Sequence, residues 1–356
     1  MEKFRHGGNI YKEPAPKGTW LDFSANINPL GLSDRVRQCI LEHIDDVVHY
    51  PDPDAKALKT GIASHYGLPL EEIVLGNGAS ELLYLFFGMM RFSHVLLPQP
   101  AFSDYERAAV AAGSRVEYFF TGPEDEFRVS WEGLLARIPS VDCIVFGNPN
   151  NPTGTLLLAA ELEECLETIP VSTWVLVDES FLDFREDEKR YTVRHLVERY
   201  PNLFVLRSLT KFYALPGLRI GFAAADPGIV KRMEAAKDVW NVNVLAQKAG
   251  ATALSDEAYR RDTLRWLAEE RAYMTEALQG IHGMRIFPPS VNFVLVDVRN
   301  TGKAASYILS CMKRKGILLR DCSNYPSLDA NYLRMAIRGH EENQKLMDAW
   351  KEIVGR

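Results

Sequence analysis

The chain has 356 residues, more than one hydrophobic core usually organises, so two domains are expected. Hydrophobic residues make up 47% and charged residues 25%, the balance of a globular enzyme. A formal net charge of -6 argues against a nucleic-acid or anionic-membrane surface, since both favour a basic stripe, but it leaves an anionic small substrate open. The five cysteines, Cys39, Cys143, Cys165, Cys311 and Cys322, form no CxxC pair. They suit free thiols in a reducing cytoplasm rather than a disulfide frame or a zinc site. Residues 1–9 are too polar for a signal peptide, and the most apolar run, 82–90, is far short of the roughly 20 residues a membrane span needs.

Residues 1–39 carry Pro14, Pro16 and Pro29 with little periodicity, and are expected to wrap around the body as an arm. From about 70 to 225, short apolar runs alternate with amphipathic stretches, the pattern of a sheet covered by helices on both faces. Strands are predicted at 73–75, 94–97, 115–120, 143–146, 174–177, 203–206 and 219–224. Several are continuously apolar, as strands buried on both faces are. Helices are predicted at 80–90, 104–112 and 159–168. Beyond about 228 the texture changes: longer helices at 229–239 and 256–279 precede strands at 292–296, 317–320 and 332–337, and a last helix starts near Glu341. The expected fold class is α/β, with a large domain over 40–230 and a smaller α+β domain formed by 231–356 together with the arm.

The informative motifs each follow a predicted strand, so they should meet at one edge of the sheet, where open α/β sheets bind ligands. Gly-Asn-Gly at 76–78 opens a helix whose first amides, at Ala79 and Ser80, would face a phosphate; an ordinary strand-to-helix turn reads the same way. Asn151-Pro152 belongs to a turn whose proline is a candidate for the cis form, and the Asn151 amide would bond a cofactor oxygen. Asp178 ends the strand at 174–177; its carboxylate would keep a pyridine nitrogen protonated, or simply cap the next helix. Lys211 follows the strand at 203–206, and a partly desolvated lysine amine forms a Schiff base with an aldehyde. Ser208 and Arg219 flank it with phosphate-binding groups. None is compelling alone; their order along the chain is.

With these residues assembled, the sequence resembles the fold-type I enzymes of pyridoxal 5′-phosphate (PLP) along nearly its whole length. Within them it is similar to the threonine-phosphate decarboxylases of cobalamin biosynthesis, relatives of the histidinol-phosphate aminotransferases. Runs at 148–154 and 207–219 carry the superfamily likeness; runs at 6–9, 22–31 and 320–326 carry the branch. The resemblance implies a mostly parallel seven-stranded sheet and the cofactor PLP. Phe102 would stack on the pyridine ring, Asn151 bond its 3′-oxygen, and Asp178 its nitrogen. Ser208, Arg219 and the Ala79 and Ser80 amides would grip the phosphate, joined by Tyr50 from a second subunit of a homodimer. Arg334 would take the substrate α-carboxylate, with Asn151 beside it. Arg320 and His6 would bind the substrate's own phosphate, and Asn28 would also contact the substrate. Phe181 stands where many aminotransferases carry tyrosine, so one hydrogen bond to the 3′-oxygen is expected to be missing. The implied reaction is decarboxylation of O-phospho-L-threonine, with O-phospho-L-serine as a further substrate. A histidinol-phosphate-type aminotransferase and a PLP-binding regulator without turnover are the alternatives.

Overall fold

The computed structural model describes residues 4, 6–16 and 18–355. A two-residue strand, β1 (Leu21–Asp22), precedes helices α1 (Asp34–Glu42) and α2 (Lys56–Tyr66). Next come β2 (Ile73–Gly76), α3 (Ala79–Met90), β3 (His94–Gln99), α4 (Ser103–Ala111), β4 (Arg115–Phe120) and α5 (Trp131–Leu135). The chain continues through β5 (Cys143–Gly147), α6 (Ala159–Thr168), β6 (Trp174–Asp178), β7 (Leu203–Ser208) and β8 (Gly221–Ala225). Helices α7 (Pro227–Ala236), α8 (Val244–Leu254) and α9 (Glu257–Gln279) lead to β9 (Arg285–Phe287) and β10 (Phe293–Asp297). The last elements are α10 (Ala305–Arg314), β11 (Ile317–Leu318), β12 (Arg320–Asp321), β13 (Tyr332–Ala336) and α11 (His340–Val354).

Seven strands form one sheet in the order β2-β8-β7-β6-β5-β3-β4, with β8 alone running against its neighbours. The strands read as apolar on both faces because both faces are covered. In β7, Leu203 and Val205 enter the core that holds Val177 and Phe212, while Phe204 and Leu206 enter the core built on Leu82, Phe86 and Phe87 of α3. Each such side chain, removed from water, contributes about 1.5–3 kcal/mol. Successive strands run outward from β3 to β4 and the other way from β5 to β7, so the strand order reverses between β3 and β5. The carboxyl ends of β3, β5, β6 and β7 therefore open on the crevice where α/β sheets place their ligands.

A second, antiparallel sheet runs β12-β13-β10-β9, and β1 pairs with β11 in parallel, tying the N-terminal segment to chain some 300 residues on. Three expectations change here. The strand predicted at 317–320 is two short strands in different sheets, because the chain switches partners at Leu319. The strand predicted from 219 begins at Gly221, since Arg219 has a left-handed φ of 57° that no strand residue adopts. Helices α1, α2, α5, α8 and α10 and strands β1 and β9 have no counterpart in the sequence reading; α8 is a run of small residues without a clear apolar stripe. Among the described residues no helix is long and apolar enough to cross a membrane, and all five cysteines are free.

Candidate active site

Lys211 lies in the loop after β7, and its Nζ donates to Ser208 Oγ at 3.0 Å. Burial is the main force on it, lowering its pKa from 10.5 to about 8; the Asp178 charge opposes that shift and the Arg219 charge adds to it. The ring of Phe181 stands 5.9 Å from the amine. Behind the lysine, the Lys211 carbonyl accepts from the Asn28 backbone N–H at 3.0 Å.

Asp178 ends β6 with both carboxylate oxygens engaged: the Tyr105 hydroxyl donates to Oδ2 at 2.7 Å and the Ser180 N–H to Oδ1 at 2.9 Å. Phe102 caps the start of α4, edge-on to Tyr105 at 5.6 Å between ring centroids. His6 lies on the outer side of Phe102, 5.3 Å away, with Nε2 2.9 Å from Asp104 Oδ1.

The start of α3 makes a cradle. Register places Gly76 opposite Gly221 and Gly221 opposite Ser208, so the turn at 76–80 reaches the same edge as Ser208. Gly78 has φ +79°, and a Cβ there would lie 2.4 Å from Arg219 Nη2, so the bare glycine lets the guanidinium lie over the helix start. The Ala79 and Ser80 amides, in the first turn of α3, have no acceptor within the helix and sit at its positive end.

The second sheet brings two cations to the same crevice. Arg320 on β12 and Arg334 on β13 are register partners, each only 5% exposed. Like charges directly opposite one another are unfavourable unless an anion sits between them. Arg334 donates from Nη2 to the Ser24 carbonyl at 2.6 Å and from Nη1 to Asn151 Oδ1; its Nε has no partner among the described residues, and burial lowers its pKa. Its guanidinium lies 5.6 Å from the Phe293 ring, which meets Phe181 edge-on at 5.1 Å. An aromatic wall thus runs from Arg334 to Lys211. Arg320 donates to Asn324 Oδ1 at 2.7 Å and lies 5.3 Å from the Tyr325 ring.

One residue stands elsewhere than expected. Asn28 is 2% exposed, and its amide is spent on the Phe212 carbonyl and Thr263 Oγ1, both at 2.8 Å. It braces the lysine loop from behind and has no amide proton left for a substrate. Asn26, 6% exposed with its acceptor Oδ1 unpartnered among the described residues, lies along the chain between Ser24, which holds Arg334, and Asn28, which holds Lys211. A tight turn, Ile27 N–H to the Ala25 carbonyl at 3.0 Å, breaks the strand-like alternation there. Tyr50 is 75% exposed and stacks on Trp240 at 4.1 Å, outside this chain's own crevice. Tyr105, Asn26 and Phe293 were not singled out from the sequence; nothing in the sequence alone ties them to Asp178 or the arginines.

A buried amine of lowered pKa, a carboxylate across the crevice from it, a flat ring and a glycine cradle under a guanidinium are the fittings for one coenzyme, PLP. Their geometry makes the chain a PLP-dependent enzyme of fold type I. It belongs to the aminotransferase class I and II family, whose model matches residues 18–349. It is 35% identical over 354 residues to a putative threonine-phosphate decarboxylase of Caldanaerobacter subterraneus subsp. tengcongensis, covering 99% of this chain and 95% of that one. With the threonine-phosphate decarboxylase of Salmonella typhimurium it shares 34% over 358 residues, covering 98% and 96%. Among solved structures, the histidinol-phosphate aminotransferase from Clostridium acetobutylicum aligns with TM-score 0.87 at 30% identity, over 93% of this chain and 98% of that one. The L-threonine-O-3-phosphate decarboxylase from Porphyromonas gingivalis aligns with TM-score 0.82 at 26% identity, over 94% and 99%.

Proposed function

We propose that the enzyme decarboxylates O-phospho-L-threonine to (R)-1-amino-2-propanol O-phosphate for cobamide assembly, with O-phospho-L-serine as a second substrate. The observation that carries this reading is the buried pair Arg320 and Arg334, opposite one another on adjacent strands, with Arg334 bonded to Asn151. Such a pair fits a small amine bearing two anionic groups. Arg334, held by Ser24 and Asn151, takes the α-carboxylate through a forked guanidinium contact. Arg320, with His6, takes the phosphate.

PLP bound at Lys211 supplies the electron sink for the pair left when a bond at Cα breaks. The side chains choose the bond. A substrate clamped at both anionic ends could not turn freely, so Arg320 and Arg334 would choose which bond at Cα is presented to that sink. The Phe181–Phe293 wall excludes water on the side of the carboxylate. Lys211 Nζ would return a proton to Cα after CO2 leaves, and water would supply that proton in turn, since the reaction consumes one.

Phosphate of the cofactor is met by Ser208, Arg219 and the Ala79 and Ser80 amides, and by Tyr50 of a second copy in a homodimer. The exposed side chains Leu41, Ile44, Val47, Val48, Tyr50 and Trp240 support an interface there.

The likeness to histidinol-phosphate aminotransferases supports the runner-up, since a transaminase of that branch needs the same two anion sites. The separating experiment supplies O-phospho-L-threonine to the PLP-loaded enzyme without any oxo acid and follows CO2 and aminopropanol phosphate. Many turnovers are expected. Turnover only with 2-oxoglutarate and histidinol phosphate would replace this reading with the aminotransferase.

A further inference from the structure

We propose that Tyr105 is a positioning residue for the cofactor ring, holding with one side chain the two groups that flank the pyridine, Asp178 and Phe102. This rests on the reading that Asp178 faces the ring nitrogen and Phe102 its face. Tyr105 lies three residues after Phe102, the residue before α4, and its N–H donates to the Phe102 carbonyl at 3.2 Å, which keeps the two together at the start of the helix. Its ring meets Phe102 edge-on at 5.6 Å, and its hydroxyl donates to Asp178 Oδ2 at 2.7 Å.

The bond has room made for it. Gly147 of β5 is the register partner of Asp178 on β6. A Cβ at Gly147 would lie 3.2 Å from the Tyr105 hydroxyl oxygen and 3.0 Å from Asn150 Oδ1. That is tighter than ordinary carbon contact, so the hydroxyl reaches Asp178 through the gap a bare glycine leaves. Burial, with the Asp178 charge second, raises the phenol pKa well above its usual value, so the proton stays on Tyr105 and Tyr105 remains the donor. The Asp178 carboxylate thus divides its hydrogen-bonding capacity between Tyr105, Ser180 and the ring nitrogen.

Removing one donor returns charge to the ring side, which favours the protonated state of the Lys211-bound cofactor. The test is a pH titration of the visible absorption of the PLP-loaded protein, read for wild type, Tyr105→Phe and Gly147→Ala. Tyr105→Phe keeps the ring against Phe102 and loses only the hydroxyl. Its midpoint is expected to rise by about one pH unit, the scale of a hydrogen bond to an ion. Gly147→Ala, which displaces the same hydroxyl by another route, should move the midpoint the same way. Tyr105→Leu should in addition weaken PLP affinity, because Phe102 loses its support. An unchanged or lowered midpoint in Tyr105→Phe overturns the proposal while leaving the PLP site standing. If Lys211→Ala kept the wild-type band, the reading of the site itself would fail, and this inference with it.

Discussion

At Lys211, burial works against the ammonium form, and Asp178 and Arg219 pull in opposite directions. The nucleophile toward the PLP aldehyde is the neutral amine, whose fraction grows as pH rises through about 8. PLP uptake by the cofactor-free protein should therefore accelerate up to about pH 8 and level off above roughly pH 9. Stopped-flow absorbance would follow it; a rate still climbing past about pH 10 would return this lysine to its ordinary value. Lys211→Ala should lose the visible band altogether. Arg320→Ala should raise KM for O-phospho-L-threonine by roughly 10- to 150-fold, the equivalent of about 1.5–3 kcal/mol for a charged hydrogen bond. Unphosphorylated L-threonine should lose far less, and equal losses would remove Arg320 from the phosphate. At this scale the sequence was uneven. Lys211, Asp178 and Asn151 were legible because their motifs tie them to strand ends. Asn28 was not, because nothing local shows that its amide is spent on the Phe212 carbonyl and Thr263.

Among the elements, those buried on two faces were the readable ones. The strands β5, β6 and β7 are apolar throughout because two cores press on them, and a run of Val, Leu and Phe announces that without any contact being known. Helix α8 and the switch at Leu319 were not readable, because small residues and a change of pairing partner leave no period. The start of α3 belongs to this scale as well. Gly78→Ala strains a positive φ and puts a Cβ into the Arg219 guanidinium, so PLP retention in equilibrium dialysis should fall by more than about tenfold. Asn28→Ala, by contrast, removes two buried hydrogen bonds behind the lysine and should lower unfolding free energy by about 1–3 kcal/mol in urea titration. If its main effect were instead on KM for the phosphorylated substrate, the bracing role would be wrong.

Across the whole molecule, the site is assembled from four distant stretches: the arm near 24–28, the strand ends of the large sheet, Lys211, and the arginines of the second sheet. Asn151 and Arg334 are 183 residues apart and share a hydrogen bond. Tyr50, exposed on the surface that also carries Val47 and Val48, extends the argument to a second copy. Val48→Asp should shift the protein to monomer in sedimentation and loosen PLP at the same time; undiminished PLP affinity in such a monomer would count against a shared site. The sequence by itself determined the class of fold and the cofactor and pointed to the lysine, because apolar runs and turn motifs are local and keep their meaning along the chain. The tertiary structure decided that Asn28 is spent behind the lysine loop, that two arginines stand face to face, and that Tyr105 reaches Asp178 past Gly147. Those depend on register and on where the backbone turns, and register is settled only when strands pair.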